Sequence, residues 1–319
     1  MNESHRPRRP RGAEISTLYG PTRSLFGVPV RPADVVILAG VVLFSLLMVL
    51  YRRRAPDAWT WSLKIALAGG IYFAAVYLYH RLSNPVVRFF VRTAAVQVLC
   101  GYLFVAVLPL QLIWHRTWND AAVLRFENQV FGLQPTVWLE RFVSPALTEW
   151  MMFSYVIYLV IYPGLGALIR VRRGEGAMED YLFTLAVTNI VCFLGFLIYP
   201  VAGPMKFIPE AYSVPLTGGL FTGIADSIRV NIHGIGGTIP SPHCAIATVM
   251  WAMSFRYVRP VFYALAPVIL SLYVSTFYGR FHYITDSVIG IICGLTMFLS
   301  APALARAWNA AVAARRGGA

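Results

Sequence analysis

Two histidines give the first chemical signal. His282 and Asp286 lie four residues apart in the run YGRFHYITDSVIG at residues 278–290. On a helix they share a face, and at that spacing a carboxylate can hold an imidazole in one tautomer and orientation. Arg280 stands two residues ahead of His282. Upstream, residues 238–245 read TIPSPHCA. Ser241 suits an N-cap and Pro242 the first helical position, where its missing amide proton is no loss, so a helix should begin there with His243 in its first turn. Free amides and the positive dipole end make such a turn an anion site, and a histidine in it can protonate a departing oxyanion. Lys206, one of two lysines in the chain, closes the helix-ending run YPVAGPMK that starts at Tyr199.

Three chemistries fit two histidines, a carboxylate and nearby cations. In the first, phosphoryl transfer, His282 attacks phosphorus, Asp286 stabilises the imidazolium, and His243 protonates the leaving oxygen. Lys206 and Arg280, with Ser241, neutralise or hold the phosphate oxygens. A metal site is the second, since histidine and aspartate at this spacing are also ligands. It ranks lower, because the adjacent cations oppose a metal ion and favour an anionic substrate. Proton-coupled transport is the third, and clustering at one membrane face rather than at mid-bilayer counts against it. Taken singly, each residue has a bland alternative: a lysine at headgroup level is often a snorkelling anchor, and a lone histidine merely hydrogen-bonds at the interface. As a group the alternative weakens, because ionisable residues in membrane segments are expensive to keep without use.

The elements that must position these residues are membrane spans. The chain has 319 residues, 58% hydrophobic and 13% charged, with mean hydropathy +0.62, well above a water-soluble domain. Apolar runs of spanning length lie near residues 33–51, 62–80, 91–113, 147–169, 180–200, 242–256, 259–278 and 283–305, the sixth being short. The expected fold is all-α, a polytopic bundle of about eight spans. Residues 1–31 form a flexible basic N-terminal arm, 32–114 the N-terminal spans, 115–305 the catalytic core and 306–319 a basic C-terminal tail. No signal-peptide pattern precedes the first span.

The formal net charge of +13 comes almost wholly from arginine. The arginines cluster between apolar runs, which reads as topology determinants and lipid-headgroup contacts and not as a nucleic-acid surface. With eight spans, seventeen of the 27 Lys and Arg residues fall on the side holding both termini. Cytoplasmic termini follow, and both motif loops then face the extracytoplasmic side of a cell membrane. Residues 115–146 are too polar to span. Asp120, Leu124, Glu127 and Phe131 recur at helical spacing there, predicting two short interfacial helices broken near Gly132 and Pro135. Cys100, Cys192, Cys244 and Cys293 show no paired spacing and read as small buried apolar residues. No internal repeat suggests an inverted-repeat transporter, and nothing fixes an oligomeric state.

At PSPH (240–243) and HYITD (282–286) the chain resembles the type 2 phosphatidic acid phosphatase superfamily, whose motifs follow KxxxxxxRP, PSGH and SRxxxxxHxxxD. Within it the sequence is most similar to the inositol phosphorylceramide synthase branch. That branch carries a YPxxxP-type first motif, here residues 199–206, and a similar acidic segment that ends in ExxxFGxxP, here Asp120, Leu124, Glu127, Phe131, Gly132 and Pro135. The resemblance implies a six-helix core and a lipid phosphotransferase or phosphatase acting on a phospholipid or lipid phosphate, with no metal or other cofactor. It also implies substrate-shaping roles for Tyr199, Asp120 and Glu127, to which His233 is added from its place in the loop before the PSPH motif. Aligned on His282, Ser275 and Thr276 stand where the family has Ser-Arg, so Arg280 and Lys206 are left as the cations for the phosphate.

Overall fold

A bilayer core offers no hydrogen bonds to backbone groups, so an apolar run that crosses it must satisfy them internally, as a helix does. The computed structural model describes residues 18–20, 23–231 and 234–317 and follows this rule. A hairpin of β1 (Arg23–Leu25) and β2 (Val28–Val30) leads into α1 (Pro32–Leu50), α2 (Ala58–Arg81) and α3 (Pro85–Val107). Next come α4 (Asp120–Phe131), α5 (Pro135–Trp138), α6 (Pro145–Arg173), α7 (Glu175–Ile198), α8 (Pro204–Phe207) and α9 (Leu220–Asn231). The last three are α10 (Pro242–Tyr257), α11 (Arg259–Tyr278) and α12 (Ile284–Gly317).

Among the described residues seven helices are long and apolar enough to span: α1, α2, α3, α6, α7, α11 and α12. The sixth expected run is α10, whose 16 residues extend about 24 Å at 1.5 Å per residue, short of a hydrocarbon core of about 30 Å. It packs against α6, α7, α11 and α12 and is buried through most of its length. A helix enclosed by protein needs no lipid-facing length. Its closest neighbour is α12, and Gly290 and Gly294 are the reason. A Cβ on Gly290 would stand 2.5 Å from the Ser241 carbonyl oxygen and 3.0 Å from Cys244 Cβ, and one on Gly294 would press on the Ala245 backbone. This is the small-xxx-small contact that lets two membrane helices meet backbone to backbone.

At one end of the bundle, where α1 and α7 begin, charge holds the N-terminal helices to the core. Arg92 on α3 is 2% exposed. Its guanidinium grips Glu179 on α7 bidentately (2.9 and 2.7 Å) and pairs with Asp34 on α1, which also accepts from the Tyr72 hydroxyl. Arg31 pairs with Glu175 and Glu179. Arg31 and Arg92 therefore correct the reading of the arginines as headgroup contacts: matched carboxylates make burial tolerable for them. The other end, where α3 and α7 finish and α10 and α12 begin, carries the motif loops.

The interfacial helices form as expected, with α4 ended by Gly132 at φ +69° and α5 opened by Pro135. Two local differences from the sequence reading appear. Residues 23–30 of the supposed arm form the hairpin, whose two strands pair in register from Arg23 with Val30 to Leu25 with Val28. The C-terminal residues continue α12 without a break to Gly317. The helix α9 starts where Glu149 on α6 accepts from the Gly219, Phe221 and Thr222 amides (2.7, 2.7 and 3.1 Å).

Candidate active site

The N-terminal turns of α10 and α12 face one another. Ser241 caps α10, its hydroxyl accepting from Cys244 N at 3.4 Å, with Pro242 at the first helical position. The Ser241 amide donates to the Asp286 carbonyl at 3.1 Å, which ties the two turns together. His243 and His282 thereby come within 5.9 Å between ring centroids, at 63°. Behind His282, Nδ1 stands 3.5 Å from Asp286 Oδ2, an ion-pair separation, and the same oxygen accepts the Tyr283 amide at 3.0 Å. Both residues are buried.

His243 is held by aromatic rings that no motif indicated. Tyr155 on α6 stacks on His243 at 4.4 Å and on Phe281 at 4.5 Å, and Tyr158 meets the other histidine edge at 5.0 Å. Their i, i+3 spacing on an apolar helix was the available signal. Ser275 and Thr276, at the positions where the family keeps Ser-Arg, are fully buried. The Thr276 carbonyl accepts both the Phe281 and His282 amides at 3.0 Å, so this position fixes the histidine through its backbone.

His282 opens onto a pocket lined by Ala202, Gly203, Met205, Lys206, Gly236, Gly237 and Thr238 among others. Lys206 is exposed at its rim. The wall contributes little charge of its own. The Ala202 and Gly203 amides donate to Asp120 (2.8 and 2.9 Å), Gly236 N to the Ala202 carbonyl (3.2 Å) and Gly237 N to Gln111 Oε1 (2.6 Å).

The other residues singled out in the sequence lie away from the pocket. Arg280 adopts φ +63°. Its guanidinium donates to Glu140 at 2.9 Å and to the Val214 carbonyl, and lies over the Tyr212 ring at 4.3 Å. Burial lowers its pKa, partly offset by Glu140. Glu140 loses ground to burial but more than regains it from the Val214 and Ser213 amides, the Ser213 hydroxyl and Arg280, so its carboxyl lies below its ordinary value.

Asp120 and Glu127 are wholly buried and spent on protein donors. Asp120 also accepts the Tyr283 hydroxyl at 3.0 Å, and burial raises its pKa against these bonds. Glu127 accepts the Thr285 amide and hydroxyl (2.9 and 3.0 Å) at the start of α12, and Gln134 Nε2 at 3.0 Å. These two carboxylates shape the site by holding the loops that carry it and not by facing the pocket. Ser241 is buried as a cap, Tyr199 ends α7 on the surface, and His233 lies outside the described residues.

No curated protein and no solved structure matches the chain. The description that matches is the PAP2 superfamily, over residues 121–300, more than half of the chain and the part that contains both histidine motifs. Seven long apolar helices make it a multi-pass membrane protein, and with this match the chain belongs to the PAP2 superfamily of phosphatases and phosphotransferases.

Proposed function

We propose that the protein is a lipid phosphotransferase that works through a phosphohistidine on His282. The observation that carries this reading is the approach of His243 to within 5.9 Å of His282, which lines a pocket and has Asp286 behind it. With Nδ1–H directed at Asp286, the lone pair of His282 Nε2 attacks phosphorus. The bond to the leaving oxygen breaks as His243, in its protonated form, delivers a proton to that oxygen. The positive charge on the phosphorylated imidazole is balanced by Asp286. In the second half His243 takes the proton of an acceptor hydroxyl, the new P–O bond forms and the P–N bond breaks. The 3.5 Å His282–Asp286 separation suits this scheme, since catalytic hydrogen bonds commonly tighten only around substrate.

Charge favours a phosphodiester donor. A phosphomonoester carries between one and two negative charges near neutral pH, with a second pKa of about 6, while a diester carries one. Lys206 is the described cation lining the pocket, whereas Arg280 and Arg229 are engaged with Glu140 and Asp226. Likeness to the inositol phosphorylceramide synthase branch at residues 120–135 and 199–206 points the same way, to transfer of a polyol-phosphate headgroup such as inositol phosphate from a phospholipid to an alcohol. Hydrolysis of a lipid phosphate uses the same residues with water as acceptor and is the second reading. The positive-inside balance supports an extracytoplasmic position for this site.

The test is mass spectrometry of products from purified protein in dodecyl maltoside micelles. Phosphatidylinositol and phosphatidic acid serve as donors, with and without a ceramide as acceptor and with EDTA throughout. Headgroup transfer that His282→Ala abolishes is expected. Turnover surviving His282→Ala, or demanding added divalent metal, would overturn the mechanism, and phosphate release from phosphatidic acid alone would select the phosphatase reading.

A further inference from the structure

Gln111 lies just past the end of α3, outside residues 121–300 that match the superfamily, yet it reaches the pocket wall. We infer that Gln111 is a positioning residue for the phosphoryl-transfer site, locking the glycine loop at residues 234–237 against which the substrate phosphate must fit. The inference rests on the reading of this pocket as the phosphate site.

The side chain is 1% exposed and its amide is used at both ends. Oε1 accepts the Gly237 amide at 2.6 Å, and Nε2 donates to the Ile235 and Leu108 carbonyls, each at 3.0 Å. The orientation is fixed by chemistry, because a flipped amide would set donors against donors. Glutamate could accept from Gly237 but has no donor for the two carbonyls, leucine has neither, and asparagine is one methylene short.

The loop needs such an anchor. Gly236 and Gly237 adopt φ +91° and +71°, a region in which glycine is permitted but pays the largest ordering entropy of any residue. The loop's three glycines supply no side chain with which to grip the core at the very point where the loop lines the pocket. Gln111 instead lies flush on its backbone: a Cβ on Gly236 would stand 2.7 Å from Gln111 Cδ. Two further tethers, Gly236 N to the Ala202 carbonyl (3.2 Å) and the Thr238 hydroxyl to the Val201 carbonyl (3.0 Å), join the loop to the Lys206 segment. The same strand of chain then runs into the Ser241 cap and His243. A displaced loop would move the pocket wall and the general acid together, and misplacement of about 1 Å at reacting groups can cost on the order of 100-fold in rate.

The experiment compares wild type, Gln111→Leu and Gln111→Asn by turnover of phosphatidylinositol and phosphatidic acid micelles, and by hydrogen exchange of the peptide spanning residues 234–240. Gln111→Leu is expected to lower kcat at least tenfold with KM within about threefold, and to speed exchange at the Gly237 amide while the transmembrane helices keep their protection. Gly236→Ala should lower kcat less in a Gln111→Ala background than in wild type, because the clash with the carboxamide is gone. Wild-type kcat with unchanged exchange in Gln111→Leu would overturn the inference. So would loss of protection spread evenly over the helices, and if Gln111→Leu cannot be purified folded the same criteria apply to Gln111→Asn. Exchange is read without substrate, so an unaltered loop refutes the anchor even if neither lipid is turned over. Activity surviving His282→Ala instead strikes only the phosphohistidine reading.

Discussion

Gly290→Ala tests how the two motif helices are brought together. The added Cβ would lie 2.5 Å from the Ser241 carbonyl oxygen, where ordinary contact begins at 3.4 Å, so α12 must back away from α10 by about 0.9 Å at this crossing. The neighbouring Ser241 amide bond to the Asp286 carbonyl, now 3.1 Å, would stretch beyond hydrogen-bonding reach. Overpacking costs about 1–3 kcal/mol and the lost bond about 1 kcal/mol, for a destabilisation of about 2–4 kcal/mol. The larger effect is kinetic. His282 stands just ahead of α12, Asp286 in its first turn and His243 on α10, and in the proposed mechanism a shift of that size between reacting groups lowers kcat on the order of 100-fold. Gly101→Ala is the control, because open space surrounds that position on α3 and alanine in a helix interior is favoured by about 0.5–1 kcal/mol. The assay is kcat on whichever phospholipid the wild type turns over, together with thermal unfolding in detergent. Gly290→Ala with more than half of wild-type kcat and an unchanged Tm would refute the argument, as would an equal loss in Gly101→Ala.

Three other outcomes are expected. Arg92→Leu leaves Asp34 and Glu179 buried and unpaired, which should destabilise the protein by about 3–5 kcal/mol. Replacing Asp34, Arg92 and Glu179 together by leucine should recover most of that loss in detergent melting, and a triple variant as unstable as the single one would contradict it. Glu127→Gln removes the charge at the start of α12 and should cost about 1 kcal/mol while lowering kcat severalfold, since Asp286 sits in that turn; an unaltered kcat would count against a positioning role. Glu140 has its carboxyl held below its ordinary value, so its grip on Ser213, Val214 and Arg280 is complete at neutral pH and is lost as pH falls through that depressed value. Exchange at the Ser213 and Val214 amides, corrected for intrinsic rate, should rise only on that acid side, and Glu140→Gln should raise it already at pH 7.

Much of the site was legible in the sequence because its signals are local. Ser241 and Pro242 fix a helix start whatever surrounds them, and the short spacing keeps Asp286 close to His282, although His282 lies in the turn before α12 and not on the helix. The apolar runs likewise predict helices by length alone, including α10, which falls short of spanning and is buried within the bundle. Arg280 shows the limit. Its closeness to His282 suggested a phosphate clamp, but its guanidinium pairs with Glu140, 140 residues away, and does not line the pocket. Asp120 and Glu127 were recognised without their task, which is to accept amides from a loop 82 residues further on and from the first turn of α12, 158 residues further on.

The sequence by itself determined a membrane bundle, a capped helix start at Ser241 and a histidine–carboxylate pair, since each depends on backbone preferences, hydropathy or spacing within one or two turns. Only the tertiary structure decided which groups meet across the chain: Tyr155 on His243, Arg92 between Asp34 and Glu179, Gly290 against Ser241, and Gln111 on Gly237. The physical reason is that polar groups in an apolar bundle must find partners or remain at high cost, and which partner is within reach depends on how the helices pack, a property of the whole chain that no single stretch encodes.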